Sequence, residues 1–130
     1  LYFQYLVDSV TITILDTINP VKFSWKCNKA VTWIQGENTP YDNSDDVFLI
    51  NGTSQGVSTF GNSFITEITD PLGDAFSCTW INSGTQNISF PGLDVSSGII
   101  DYILQDNCNN MVNYYFNGDL FYYKYFSNAY

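Results

Sequence analysis

Strict alternation of apolar and polar residues runs through this chain, and a period of two leaves little choice of fold. Val10, Ile12 and Ile14 alternate with Ser9, Thr11 and Thr13. Val21, Phe23, Trp25 and Cys27 alternate with Lys22, Ser24 and Lys26, and Phe76, Cys78 and Trp80 with Ser77 and Thr79. Successive side chains of a strand point to opposite faces, so each run predicts a strand with one buried and one wet face. Shorter strands are predicted at 31–34, 47–50, 64–68, 87–90 and 99–104. The clearest hairpin comes last. Met111–Phe116 and 120–126 flank Asn117-Gly118, a dipeptide that tolerates the positive φ angles of a type I′ turn. Asn19-Pro20, Asn51-Gly52, Asp70-Pro71, Pro91-Gly92 and Ser97-Gly98 read as further turns. No stretch carries a helical period with caps. Many short strands at even spacing predict an all-β fold, a two-sheet antiparallel β-sandwich of Ig-like or jelly-roll type.

A length of 130 residues suits one domain with a single core. With 45% hydrophobic residues the chain is not of the disordered class. With only 13% charged residues its surface polarity must come from Asn, Ser, Thr and Gln, a composition common outside cells. Leu1-Tyr2-Phe3-Gln4 reads as the end of an engineered protease-cleavage tag, which leaves 5–130 as the domain. No apolar run approaches the ~20 residues that span a bilayer. Asn51-Gly52-Thr53 and Asn87-Ile88-Ser89 are N-glycosylation sequons, pointing to Asn51 and Asn87 as acceptors in a secreted protein. Of the three cysteines, Cys27 and Cys78 each share a strand face with a tryptophan, so a Cys27–Cys78 bridge is expected. Cys108, in the polar run 106–110, is left over.

The chain has no histidine and no arginine; its cations are Lys22, Lys26, Lys29 and Lys124, against 13 acids and a net charge of −9. Without imidazole or guanidinium it lacks the usual proton shuttle and the usual phosphate grip. A surface of this sign repels nucleic acid and anionic lipid. Gly52-Thr53-Ser54-Gln55-Gly56 matches the nucleophile-elbow pattern Gly-x-Ser-x-Gly, but no histidine exists to activate Ser54, and the segment reads as a Gly/Ser loop. Asp16-Thr17 resembles the start of an aspartic-protease loop, with Ile18 in place of its glycine. Only Glu37 and Glu67 are glutamates, and nothing in the sequence pairs them as glycosidase carboxylates. The chain is therefore expected not to be an enzyme and to need no cofactor, calcium apart. Asp42, Asp45 and Asp46 are candidate calcium ligands because clustered oxygens suit that ion, although Val47 and Thr53 stand where an EF-hand needs glycine and glutamate.

Asp74-Ala75-Phe76-Ser77-Cys78 resembles the segment leading to the second cysteine of an immunoglobulin domain, with Phe76 where that family carries tyrosine. Trp33 follows Cys27 at a shorter spacing than the family's. The resemblance covers a few residues and implies an Ig-like architecture, not membership.

Aromatic residues crowd the last hairpin, and tyrosine gives broad contact at low rotamer cost. Tyr114, Tyr122, Tyr123 and Tyr125, with Asn109 and Asn110 beside them, are the candidate ligand-binding residues. The expected function is non-enzymatic recognition or adhesion at an extracellular or cell surface. A protein partner would be held by this hairpin and the loops 42–46 and 106–110. The alternatives are a carbohydrate-binding module or lectin, calcium-dependent or not, and a self-associating subunit of a surface layer, filament or virion.

Overall fold

A computed structural model describes residues 1–14, 21–94, 97–102, 108 and 111–125; of these, 5, 6, 8, 9, 12–14, 21 and 121–125 are described by their backbone alone. Among the described residues eight strands follow one another: β1 (Tyr2–Ile14), β2 (Val21–Gln35), β3 (Val47–Val57), β4 (Ser63–Ala75), β5 (Ser83–Ser89), β6 (Ser97–Tyr102), β7 (Met111–Phe116) and β8 (Asp119–Tyr125). The fold is all-β and antiparallel, as the alternation predicts.

The hydrogen bonds join all eight strands into one sheet in the order β1-β2-β3-β4-β5-β6-β7-β8. This is an up-and-down meander without the crossovers of a Greek key, so neither the Ig-like nor the jelly-roll connectivity is present. Among the described residues no hydrogen-bonded strands form the second layer of the expected sandwich. Tyr2, Phe3 and Gln4 pair with Thr32, Val31 and Ala30, so the segment read as a tag remnant forms the start of β1.

Two segments that read as turns lie inside strands instead, because β1, β2, β3 and β4, at 13, 15, 11 and 13 residues, are much longer than the average of about six. Long strands accommodate twist through bulges, and residues that read as turns do that work here. Asn51-Gly52 lies inside β3 where its register with β4 shifts, and Asp70-Pro71 lies inside β4 where its register with β5 shifts. A proline is tolerated in a central strand only where the ladder is already interrupted. Ser54 is mid-strand in β3, not in a loop; its hydroxyl is bonded to that of Thr66 on β4. Two further segments differ: 76–80, which reads as a strand, forms turns and bends after β4, and Ser97-Gly98, which reads as a turn, opens β6.

Asn117 (φ 54°) and Gly118 (φ 87°) make the two-residue turn between β7 and β8. Among the described residues the buried apolar side chains are Cys27, Ile68, Leu72, Cys78 and Val112. Among the described residues no aromatic ring is fully enclosed.

Candidate recognition end and apolar face

In a meander, alternate hairpin loops emerge at the same end of the sheet. The β2–β3 loop (36–46), the β4–β5 loop (76–82) and the β6–β7 connection that contains Cys108 therefore share one end. Of the segments singled out in the sequence, 42–46 belongs to this set, as does Cys108 from the other, and the β4–β5 loop ties both to it. On one side the Phe76 amide donates to the Asp46 carbonyl at 2.9 Å. On the other, Cys78 and Cys108 form a disulfide with a Cα–Cα distance of 5.4 Å.

This bridge replaces the expected Cys27–Cys78 pair. Cys27 lies level with Ser54 and Thr66 in the middle of the sheet, whereas Cys78 lies beyond Ala75 at the end of β4. The nine residues from Thr66 to Ala75 correspond to about 30 Å of strand, far outside the roughly 7 Å over which two Cα atoms can be bridged. Cys27 is buried and free.

The β2–β3 loop is held by its own acids. Thr39 Oγ1 donates to Asp45, lying 3.0 and 2.9 Å from its two carboxylate oxygens. Asp42 accepts from the Ser44 amide and hydroxyl, and these bonds hold its carboxyl below the usual aspartate value. Asp46 turns a carboxylate oxygen inward against Gly36, buried and without a hydrogen-bond partner. Hence Asp42, Asp45 and Asp46 do not converge as a calcium cage, and among the described residues no three acidic or cysteine groups gather to hold a metal. What the end presents outward is aromatic and anionic: Tyr41 is fully exposed and Phe76 is 62% exposed. Glu37 and Asp42 are exposed as well, and none of the three loops contains a lysine. Nothing in the alternation marks Tyr41; the hairpin loop length around it was the available signal.

The strand faces segregate. Directly opposed residues share a face, so Phe23, Trp25, Cys27, Val31 and Trp33 on β2 join Phe48, Ile50 and Ser54 on β3. The same face continues through Phe64, Thr66 and Leu72 on β4 to Ile100, Tyr102, Tyr114 and Phe116 on β6 and β7. Small residues let the rings lie flat. Phe23 and Phe64 stack across β3 with centroids 5.8 Å apart and planes within 13°, over Gly56, where a Cβ would come within 2.8 Å of the Phe64 ring. Phe116 covers Gly98 in the same way. The rings of Trp33 and Phe48 lie with centroids 5.8 Å apart and planes tilted by 31°.

Charges on this face respond to their setting. Burial pushes the Asp74 carboxyl above the usual aspartate value and lowers Lys29. The Tyr102 hydroxyl, which accepts from Gln86 Nε2, is raised by burial and by its neighbour Tyr114, itself raised by burial.

The opposite face is more polar, although Val57, Ile65 and Ile99 are exposed on it. Asn51 and Asn87, the sequon asparagines, are both exposed, and opposed residues place them on this face. A shallow trough of about 550 Å³ runs beside Asn87 between Ile65, Glu67, Ile99 and Tyr115.

Tyr114 is half-buried on the apolar face. Tyr122 and Tyr123 stand opposite Tyr114 and Asn113 in the backbone register, and Tyr125 opposite Met111. Asn109, Asn110 and the Asp16-Thr17 pair lie outside the described residues. No protein-family model, curated protein or solved structure matches the chain.

Proposed function

We propose that this chain is a non-enzymatic recognition domain of an extracellular or cell surface, and that it holds a protein partner with the tied loop end. The observation carrying the reading is the linkage of three loops into one anionic, aromatic surface. The Phe76–Asp46 bond and the Cys78–Cys108 bridge fix loops that would otherwise move independently. Rigid loops on a sheet scaffold are the usual seat of binding, and exposed Tyr41 and Phe76 supply the anchors that interfaces favour. Exposed Glu37 and Asp42, in loops that contain no lysine, select a basic partner surface. The disulfide fits an oxidising compartment.

The test is to read the labelled domain against an array of ectodomain proteins and a glycan array side by side. A protein hit that weakens at least tenfold on Tyr41→Ser or Phe76→Ser, and weakens with salt, supports the proposal. Selective glycan binding that survives both substitutions would replace it with the carbohydrate reading, seated in the polar-face trough.

A further inference from the structure

We infer that the apolar face is the interface of a homodimer, in which two copies of this sheet stack to form the two-layer sandwich that one chain does not complete. The inference is independent of the loop-end proposal and uses a different surface.

The first argument is area. The chain exposes 8954 Å², whereas a compact domain of 14.7 kDa exposes roughly 6,900 Å². The excess is on the order of 2,000 Å² per chain, and covering even half of it on each copy reaches the roughly 2,000 Å² total at which permanent dimers begin. The sheet has the dimensions for this: seven inter-strand spacings give a breadth of about 34 Å. The second argument is chemistry. Trp25, Trp33, Phe48, Phe64 and Phe116 lie half-buried on one face, with Lys29 and Asp74 among them, so the surface resembles a domain core cut in half, as in obligate dimers. Sheets that stack face to face bury side chains of this kind in a layer about 10 Å thick.

The third argument concerns the competing route. An open sheet can also associate through its edges. In β1, one of the two edge strands, a bulge between Val7 and Val10 breaks the flat ladder that edge pairing needs. Face pairing about a two-fold axis also closes, whereas edge pairing by one edge onto another continues indefinitely.

Charge separates a second copy from any other occupant. Each copy carries −9, so salt screens repulsion between copies and tightens the dimer, while it loosens attachment of a basic partner.

The experiment is sedimentation of the intact chain from about 1 to about 200 μM, in about 0.05 and 0.5 M salt, with tryptophan emission recorded on the same samples. The expected result is a monomer–dimer equilibrium that stops at the dimer and tightens with salt. A blue shift should accompany it as Trp25 and Trp33 lose water. Trp25→Glu and Phe116→Glu, on the two wings of the face, should each raise the dissociation constant at least tenfold. Val57→Glu and Ile99→Glu, at exposed positions of the polar face, should leave it unchanged. Circular dichroism identifies any variant that has merely unfolded, and the wild-type salt and emission data stand without the variants. A monomer at every concentration with constant emission overturns the inference, as does open-ended growth. A monomer that still binds its protein through Tyr41 and Phe76 overturns the dimer and leaves the loop-end proposal in place.

Discussion

Reduction of the Cys78–Cys108 bridge is the most informative single perturbation. The two residues are 30 apart in sequence, and the bridge closes the β5–β6 segment between them. In the chain-entropy treatment, opening a loop of about 31 residues returns roughly 12 cal/mol/K to the unfolded chain, about 3.7 kcal/mol at 25 °C. A stable small domain holds only about 5–15 kcal/mol in total, so the loss is a large share. The double variant Cys78→Ser, Cys108→Ser avoids exchange with Cys27 and isolates the effect. With a urea slope of about 1.5 kcal/mol/M, the unfolding midpoint should fall by roughly 2.5 M. The same fall should follow when a thiol reductant is added to the wild-type chain. Loss of less than about 1 kcal/mol, with the slope unchanged, would refute the reasoning. It would mean either that the loops are held together without the bridge or that the unfolded chain is already constrained.

Thiol labelling should detect one free cysteine, Cys27, reactive only after unfolding, and Cys27→Ser should leave the disulfide intact. Gly56→Ala should cost about 1–3 kcal/mol by overpacking, because the new methyl meets both the Ser24 carbonyl and the Phe64 ring; calorimetry measures it. Leu72→Ala should cost about 2–5 kcal/mol, while Leu93→Ala, in an exposed bend, should stay within about 0.5 kcal/mol. Asp74 is raised by burial, so its ionised form penalises the native state above that raised value, and the penalty vanishes below the ordinary value of 3.8. Asp74→Asn should therefore stabilise the chain at neutral pH, with the gain shrinking through the acid range and absent below pH 3.8, read from urea midpoints against pH.

Alternation made the strands legible because a strand's pleat is written locally, and the Asn117-Gly118 turn was legible because its φ angles demand those residues. Strand length was not. Asn51-Gly52 and Asp70-Pro71 carry turn chemistry, yet neighbouring strands on both sides hold them in the ladder, where the same backbone freedom serves as bulges. The bridge was misassigned for a related reason. Sharing a face with a tryptophan says which side of the sheet Cys27 occupies, and nothing about how far along the strand Cys78 lies. The loop end was half visible: the segments 42–46 and 106–110 stood out by composition, but only the meander order brings them to one end. Tyr41 and Phe76 escaped because exposure of a single ring depends on what fails to cover it.

The sequential strand order also shapes how the chain comes apart. Each strand pairs only with its neighbours in sequence, so the sheet is quasi-one-dimensional, with stability distributed as a row of nearest-neighbour couplings like that of a repeat array. Pairings that close short loops form quickly, and assembly can zip outward from any well-formed hairpin. Denaturation then starts at the terminal strands and moves inward as a front. The Cys78–Cys108 bridge, spanning β5 and β6, should be the point where that front stalls.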